Sequence, residues 1–164
     1  MPLFPTTCTA LAVELLNACN RQGLRLATAE SCTGGLIAGC LTEIAGSSAV
    51  VDRGYVVYDD RAKTEMLGVS VATLHRHGAV SEATAREMVA GALERSGCGL
   101  AIAVTGIAGP GGGSAGKPVG LVHLAAARHG ASVAHARHVF PGDRGDVRLA
   151  TVEAALALAL EIVR

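Results

Sequence analysis

The sequence predicts an α/β fold in which a mixed β-sheet is covered by helices on both faces. Short apolar runs that are typical of strands alternate along the chain with longer segments of helical character, and this alternation indicates a sheet with helices on each side. Near the end of the chain, two strand-like runs flank the segment His129-Gly130-Ala131. A short connection of this kind predicts an antiparallel hairpin, so the sheet should be mixed rather than purely parallel.

The individual elements are predicted from apolar spacing together with start and stop signals. Glycines end three of the helical segments, either Asp59 or Asp60 suits the N-cap of a fourth, and Asp143 suits the N-cap of the last. The predicted helices are Leu11–Arg21, Thr33–Ile44, Asp60–Leu67, Ser81–Ser96 and Asp143–Val163. The strand-like runs are Leu24–Thr28, Val50–Tyr58, Gly99–Thr105, Val119–Ala127 and Ser132–Phe140. The last helix is apolar on most of its surface and should therefore be well buried.

Length and composition indicate one domain over residues 1–164 and disfavour several classes of protein. The chain has 164 residues, half of them hydrophobic, and a formal net charge of zero. A chain of this size buries a core without disulfides or metals, and its neutral charge balance disfavours an electrostatic nucleic-acid binder. Aromatic residues make up only 2% of the chain, so base stacking on aromatic side chains is not available at scale.

The cysteines and the two ends of the chain predict a cytoplasmic protein. The five cysteines are odd in number and show no close pairing such as C-x-x-C, which is typical of reduced, mostly buried thiols. The first residues lack a basic segment followed by an uninterrupted apolar stretch, so no signal peptide is expected. The most apolar tail, Val147–Val163, is short and contains charged residues, so it should not span a membrane.

The glycine-rich segment Val104–Pro118 is the most unusual part of the sequence. Six of the eleven residues from Gly106 to Gly116 are glycine, which costs backbone entropy and is tolerated where the backbone approaches a ligand closely. The alternative is a flexible surface loop. A phosphate-binding P-loop is excluded because Pro118 stands where a Ser or Thr should bind magnesium, and the residues after it are strand-like rather than helical. The dinucleotide-binding fingerprint fails because it too must open a helix.

A second candidate is the turn Thr28–Gly35, which leads from a strand-like run into a predicted helix. Its hydroxyls and free backbone N–H groups lie at a helix start, which favours a bound phosphate or carboxylate. Simple capping by Ser31 or Thr33 is an equally supported alternative. Cys32 at this position is a candidate for a lowered pKa, although a buried thiol that only packs is the interpretation that we prefer.

Two further pairs of residues have the chemistry of a site, but their spacing leaves their roles open. A neutral lysine can deprotonate a serine, yet Ser48 precedes the predicted strand Val50–Tyr58 and Lys63 follows it, so spacing alone does not pair them. From the residues alone, a solvated lysine on the predicted helix is the interpretation that we prefer for Lys63. Arg144 and Arg148 lie one helical turn apart and can either reach one anion or form surface ion pairs only.

The six histidines do not indicate a metal site. Neither His75-x-His77 nor His135-x-x-His138 has an acidic partner at ligand spacing or a cysteine cluster beside it. In a strand, His135 and His138 would lie on opposite faces. We expect no metal and no other cofactor.

Taken together, these segments resemble the CinA C-terminal domain family, which includes stand-alone nicotinamide mononucleotide (NMN) deamidases. The resemblance extends over about residues 10–163 and rests on several motifs in the same order. They are Thr28–Gly35, Gly54–Tyr58 with Lys63, Leu67–Val69, Ala79–Glu82, Ala103–Gly113, Lys117–Gly120 and Phe140–Arg144.

The resemblance implies a three-layer α/β/α sandwich with a mixed, mostly parallel five-stranded sheet. It also implies hydrolysis of the carboxamide of NMN to nicotinate mononucleotide and ammonia, a step of pyridine nucleotide salvage, without a metal or another cofactor. The expected partner is a small-molecule nucleotide rather than a nucleic acid or a membrane, and a homodimer is expected by analogy with the family.

The resemblance also assigns roles to individual residues. Ser48 matches the family's proposed nucleophile, Lys63 matches its base, and Tyr58 matches the tyrosine that assists them. The positions associated with substrate and phosphate are Ser31, Thr33, Gly34, Gly35, Thr105, Gly106 and Arg144. Asp59 and Asp60 depart from the family's pattern, and their charges can alter the field at Lys63.

Three alternatives to this amidohydrolase remain open at the level of sequence. The first is a non-catalytic, nucleotide-binding regulatory or interaction module of the same fold. The second is a thiol hydrolase that uses Cys32, and the third is a metal-dependent hydrolase. The choice between Ser48 and Ser31 as nucleophile also remains open, because spacing does not decide it.

Overall fold

Five β-strands and six α-helices make up the computed structural model, which describes all residues from 1 to 164. The strands are β1 (Leu26–Glu30), β2 (Val51–Val56), β3 (Leu100–Gly106), β4 (Leu121–Arg128) and β5 (Ala134–Val139). The helices are α1 (Thr6–Arg21), α2 (Leu36–Thr42), α3 (Asp60–Leu67), α4 (Val71–His77), α5 (Glu82–Ser96) and α6 (Arg144–Val163). A single turn of 3-10 helix, Ser47–Ala49, precedes β2.

The strands form one sheet in the order β2-β1-β3-β4-β5. β1 pairs in parallel with both β2 and β3, whereas the pairs β3–β4 and β4–β5 are antiparallel. The connection after β4 closes with a hydrogen bond from the Ala131 N–H to the Arg128 carbonyl (3.0 Å). The predicted hairpin and the mixed sheet are therefore confirmed, and three neighbouring strands run in parallel.

Helices cover both faces of the sheet, which confirms the three-layer architecture. α1, α2 and α6 form one layer and α3 and α5 the other. The even-numbered residues of β1 and β3 face the first layer, as Leu26, Leu100 and Ile102 do. The odd-numbered ones face the α3/α5 layer, where Ala29 and Ala103 lie. This alternation determines which layer each residue at the strand ends faces.

Two helices begin several residues from the predicted start. α1 begins at Thr6 rather than Leu11, because Pro5 takes the N-cap position, where the absence of an N–H has no cost. α2 begins only at Leu36, because Gly34 and Gly35 adopt φ values of 58° and 101° that a right-handed helix does not allow.

Helix α4 was not predicted, whereas two predicted caps are confirmed. α4 is short, and the Ser70 side chain caps it by accepting a hydrogen bond from the Thr73 N–H (3.0 Å). The Asp59 side chain accepts from the Arg61 N–H at the start of α3, as the sequence predicted. The Asp143 side chain likewise caps α6.

Helix α6 is the longest element and, as predicted, is buried along much of its length. Its buried residues are Val147, Thr151, Val152, Ala155, Leu156, Ala159, Leu160 and Val163. No helix in the structure, α6 included, combines the length and the apolar character that are needed to cross a membrane.

Candidate active site

The candidate active site lies at the carboxyl ends of β1, β2 and β3. β1 leads into α2 on one face of the sheet, whereas β2 leads into α3 on the opposite face. In open α/β sheets, ligands bind at the carboxyl ends of the strands, at the point where the connections diverge in this way. Ser31 and Tyr58 lie just beyond β1 and β2, and Thr105 is the penultimate residue of β3.

The turn Ser31–Gly35 places Ser31 directly beside β3. The Ser31 N–H donates to the Val104 carbonyl (3.1 Å), so Ser31 continues the pairing of β1 with β3. Ser31 retains 7% of its exposure. Because Ala29 faces the α3/α5 layer, strand alternation directs the Ser31 side chain toward that same layer.

Cys32, the next residue, is a buried thiol. Burial raises the pKa of Cys32 to about 11, so the lowered pKa considered from the sequence is wrong. A Cβ added to Gly106 would lie 3.2 Å from the Cys32 Sγ and 2.7 Å from the Val122 Cγ2. Gly106 is therefore required for the close packing of β3 against this turn.

Lys63 is buried on α3, with 1% of its surface exposed, so the solvated lysine expected from the residues alone is wrong. Its Nζ donates to the Tyr58 carbonyl oxygen (3.2 Å) and lies 3.9 Å from the Asp60 Oδ1. Burial lowers the pKa of Lys63, while the charges of Asp60, Asp59 and a Cys32 thiolate act in the opposite direction. The Val57 N–H donates to the Glu30 carbonyl (2.9 Å), so the next residue, Tyr58, which holds the lysine, lies near the turn that carries Ser31.

Tyr58 connects Lys63 to α6. Its backbone carbonyl holds the lysine, as above, and its hydroxyl accepts a hydrogen bond from the Arg144 Nη2 (3.1 Å). The Arg144 Nη1 donates to the Gly109 carbonyl (2.7 Å). Arg144 is exposed, and its two hydrogen bonds connect Tyr58 to the glycine-rich loop.

Thr105 is buried beside the Ser31 turn, and its hydroxyl donates to the Ala79 carbonyl (2.8 Å). This bond fixes the segment before α5 against the end of β3. The glycine-rich loop leads into strand β4 at Leu121 rather than into a helix, which agrees with the exclusion of a P-loop.

Ser48 lies at the other end of the sheet. Its carbonyl accepts a hydrogen bond from the Arg25 Nη1 (3.0 Å), and the neighbouring Val50 carbonyl accepts from the Leu26 N–H, at the start of β1. The six residues of β2 separate Ser48 from Lys63 by about 20 Å, at about 3.3 Å per residue. The structure therefore does not bring Ser48 and Lys63 together within one chain.

Glu30 is a buried residue of the site region that the sequence analysis overlooked. Its carboxylate accepts hydrogen bonds from the Ile37 N–H (2.8 Å) and the Ala38 N–H (3.0 Å), the first free donors of α2. It also accepts from the hydroxyls of Thr33 (2.7 Å) and Thr28 (3.1 Å). The sequence signal is a single acidic residue at the end of an otherwise apolar strand.

The start of α2, which the sequence analysis considered as a phosphate-binding site, is therefore already occupied by the Glu30 carboxylate. Gly34 is exposed and Gly35 half-buried beside it, while the Thr33 hydroxyl is committed to Glu30. A substrate phosphate placed on the α2 N-terminus would meet the negative charge of Glu30.

Arg148 and Arg144 do not converge on one anion. Whereas Arg144 contacts Tyr58 and Gly109, the Arg148 Nε donates to the Cys32 carbonyl (3.1 Å) and its Nη2 to the Thr33 carbonyl (3.2 Å). Arg148 thus holds the Ser31 turn from the α6 side.

The histidines form one pair rather than a cluster. The His123 Nδ1 lies 3.0 Å from the His135 Nε2, while His138 stacks on Phe140. The structure contains no group of three or more His, Cys, Asp or Glu side chains that is arranged to hold a metal ion.

These features define an open α/β protein with a buried lysine beside a serine-bearing turn at the point where the strand connections diverge. The chain belongs to the CinA C-terminal domain family, whose profile matches residues 8–163.

Curated relatives are similar over most of this chain. A nicotinamide-nucleotide amidohydrolase PncC from Enterobacter agglomerans is 50% identical over 150 residues, which cover 92% of this chain and 92% of that protein. A CinA-like protein from Akkermansia muciniphila is 52% identical over 144 residues, which cover 88% of this chain but 35% of that protein. The chain thus spans about a third of the length of several curated relatives.

Solved structures share the whole fold. The crystal structure of the competence/damage inducible protein CihA from Agrobacterium tumefaciens is 54% identical, with a TM-score of 0.98 over 100% of both chains. A CinA superfamily protein from Escherichia coli is 38% identical, with a TM-score of 0.91 over 99% of this chain and 94% of that one.

Proposed function

We propose that this chain hydrolyses the carboxamide of NMN to nicotinate mononucleotide and ammonia, with Ser31 as nucleophile and Lys63 as base. The amidohydrolase from Enterobacter agglomerans, similar over nearly its whole length, supports the reaction. The observation that carries the residue assignment is the buried Lys63 in the layer that Ser31 faces. Burial lowers the pKa of this lysine, which favours the neutral form that a base requires.

The reaction proceeds through an ester with the enzyme. The Ser31 Oγ attacks the carboxamide carbon while neutral Lys63 takes the serine proton. The tetrahedral intermediate collapses as Lys63 returns this proton to the amide nitrogen, and ammonia leaves. A water molecule that is deprotonated by Lys63 then attacks the ester carbon, the acid product leaves, and Ser31 regains its proton.

Ser31 replaces Ser48 in this proposal because proton transfer requires contact. A general base must lie within about 3 Å of the proton that it abstracts, or reach it through one water molecule. Ser48 is separated from Lys63 by the length of β2, whereas Ser31 lies at the same edge of the sheet as Lys63. Ser48 is also exposed, and its contact with a neighbouring side chain is made by its backbone carbonyl rather than by its hydroxyl.

The other residues of the site hold the substrate or the turn. We place the phosphate beside Arg144 rather than on the α2 N-terminus, because Arg144 is exposed and Glu30 occupies the helix start. Tyr58 orients both Arg144 and Lys63. Thr33, Gly34, Gly35, Thr105 and Gly106 shape the turn and the strand end around Ser31. The proposal includes one domain over residues 1–164 that acts as a cytoplasmic homodimer in pyridine nucleotide salvage, without metal or cofactor.

The test is ammonia release from NMN by the purified protein in the presence of EDTA. We expect the wild-type protein and Ser48→Ala to release ammonia at similar rates. Ser31→Ala and Lys63→Met should lower kcat by about three orders of magnitude or more, with thermal unfolding unchanged in Ser31→Ala.

The other outcomes separate the alternatives. Loss of activity in Ser48→Ala together with an active Ser31→Ala would return the nucleophile to Ser48. An absence of ammonia release from NMN, with NMN still raising the melting temperature, would favour the nucleotide-binding module. That candidate draws support from the relatives that are named only as CinA-like.

A further inference from the structure

We propose that Arg148 is a positioning residue for the reaction: it holds the Ser31–Gly35 turn in the conformation from which Ser31 attacks. This inference rests on the proposed function, since it takes Ser31 as the nucleophile. Arg148 lies in the first turns of α6 and is half-buried. It belongs to none of the ion pairs of the structure, and the hydrogen bonds of its guanidinium go to the Cys32 and Thr33 carbonyls.

The two carbonyls belong to the residues directly after Ser31. A guanidinium presents its donors in a planar, rigid fork, so two bonds from one fork fix the orientation of two successive peptide groups. Because the peptide bond is planar and trans, the N–H of each peptide group points away from its carbonyl. With its carbonyl held, a peptide group therefore cannot rotate without breaking a charged hydrogen bond.

The fork acts from the side of the sheet opposite to the base. α6 belongs to the α1/α2/α6 layer, whereas Lys63 belongs to the α3/α5 side. Arg148 therefore draws the carbonyls after Ser31 toward one layer, while the Ser31 side chain faces the other. Arg148 thus holds the turn from the side away from Lys63.

A hydrogen bond within the turn fixes the direction of the Cys32 N–H. The Gly34 N–H donates to the Ser31 carbonyl (3.1 Å), which directs the Cys32 N–H of the same peptide group the opposite way. The Cys32 N–H has no acceptor on another residue. The N–H of the residue that follows a nucleophilic serine commonly stabilises the oxyanion in acyl transfer. We assign this role to the Cys32 N–H, with Arg148 maintaining its direction through the turn.

This assignment predicts an effect on kcat rather than on KM. In the proposed binding mode the phosphate lies beside Arg144, whereas the Arg148 guanidinium binds the Cys32 and Thr33 carbonyls, so ground-state binding should survive when Arg148 is changed. A displacement of about 1 Å at a nucleophile or an oxyanion donor lowers rates by about 100-fold. We therefore expect Arg148→Lys, which retains the charge but not the fork, to lower kcat by about 10- to 100-fold with KM nearly unchanged.

The chain provides a matched control in Arg25. Its guanidinium also donates to backbone carbonyls, from Nη1 to Ser48 (3.0 Å) and Ala49 (3.2 Å) and from Nη2 to Val51 (3.3 Å), but at the far end of the sheet. Arg25→Lys loses the same kind of contact and should leave kcat unchanged. Equal kcat in Arg148→Lys and wild type, or an equal loss in both lysine variants, would overturn the positioning role. Because Arg148→Met is at risk of unfolding, Arg148→Lys with an unchanged melting temperature is the deciding variant.

A second readout does not depend on NMN. A fluorophosphonate forms a phosphorus–oxygen bond with an activated serine, expelling fluoride while the serine proton passes to the base, and peptide mass spectrometry locates the label. We expect Ser31 to be labelled in wild type and about 10-fold more slowly in Arg148→Lys. If Ser31 is labelled in this way but the protein releases no ammonia from NMN, the positioning role of Arg148 is supported and NMN is excluded as the substrate. Ammonia release with Ser31 unlabelled would overturn the inference while leaving the reaction in place.

Discussion

Lys63 determines how the proposed activity should respond to pH. Burial lowers the pKa of its ammonium group, and the carboxylates of Asp60 and Asp59 raise it again. A lysine acts as a base only when it is unprotonated. Activity should therefore fall as the pH drops below the pKa of Lys63, and the acidic limb of the rate profile should report this residue.

Asp60→Asn should extend activity to lower pH. The Asp60 Oδ1 lies 3.9 Å from the Lys63 Nζ, and its charge favours the protonated lysine. Removing this charge lowers the pKa of Lys63 further, so neutral lysine persists at lower pH. We expect the acidic limb of kcat/KM against pH to move to lower pH in this variant.

Glu65→Gln is the control for this prediction. Glu65 lies on the same helix and pairs with Arg61 at the surface (3.1 Å), so its removal should leave the limb in place. A limb that does not move in Asp60→Asn, or that moves to higher pH, would show that another group titrates.

At this residue scale, the sequence named candidate groups but not which of them lie together. The resemblance assigned catalysis to Ser48, Lys63 and Tyr58 and substrate binding to Ser31, whereas the structure places Ser31, Tyr58 and Lys63 at one edge of the sheet and Ser48 at the other end. The sequence could not show that Tyr58 binds the lysine through its backbone carbonyl rather than its hydroxyl, because every residue has such a carbonyl. The pairing of Ser48 with Lys63 depends on the direction and length of β2, which residue spacing does not contain.

At the scale of elements, the buried Glu30 carboxylate stabilises the connection from β1 through the turn to α2. α2 has only seven residues, and isolated helices of that length are not stable in water. The Glu30 carboxylate supplies the acceptors that the first N–H groups of α2 lack. The same carboxylate holds Thr33, so the start of the helix and the Ser31 turn form one unit.

Glu30→Gln should therefore destabilise the protein strongly. The amide places an NH₂ group where only acceptors are wanted and removes the charge from four hydrogen bonds. Because charged hydrogen bonds contribute about 1.5–3 kcal/mol each, we expect the free energy of unfolding in urea to fall by about 2–3 kcal/mol. Thr28→Val, which removes one hydroxyl from the same carboxylate, should cost about 1 kcal/mol. If the two variants lose equal stability, the carboxylate does not hold the helix start.

Elements with strong local signals were predicted well, and those that depend on tertiary contacts were not. The caps at Asp59 and Asp143 were correct because an acceptor next to free N–H groups is a local arrangement. α4 was missed because it has no buried residues, so no apolar periodicity marks it. Glu30 was missed because its four donors are gathered only by the folded turn.

At the scale of the whole molecule, the proposed site draws on all three layers. The sheet and the turn after β1 provide Thr105 and Ser31, α3 provides Lys63, and α6 provides Arg144 and Arg148. In the proposed assignment, no layer contains the nucleophile, the base and the binding group together. Activity should therefore be lost together with global packing, and variants far from the site are informative only when their stability is measured in parallel.

The reactivity of the five cysteines provides a test of packing across the whole molecule. All five are free and buried, and they lie in α1, α2, the Ser31 turn and the segment before β3. Burial raises the pKa of Cys8, that of Cys19 and Cys32 to about 11, and that of Cys40 to about 12. The thiolate is the reactive form, so neither access nor ionisation favours reaction in the native state.

We therefore expect native protein at neutral pH to react slowly with a thiol-specific chromogenic disulfide, and unfolded protein to expose all five thiols rapidly. Iodoacetamide should leave ammonia release from NMN intact, and Cys32→Ser should retain activity. If one thiol reacts rapidly in the native protein, and activity is lost in step with its modification, Cys32 would be the nucleophile, because it alone among the cysteines lies in the Ser31 turn. The thiol titration thus distinguishes a serine hydrolase from a thiol hydrolase and reports, through the other four cysteines, whether the layers are packed as described.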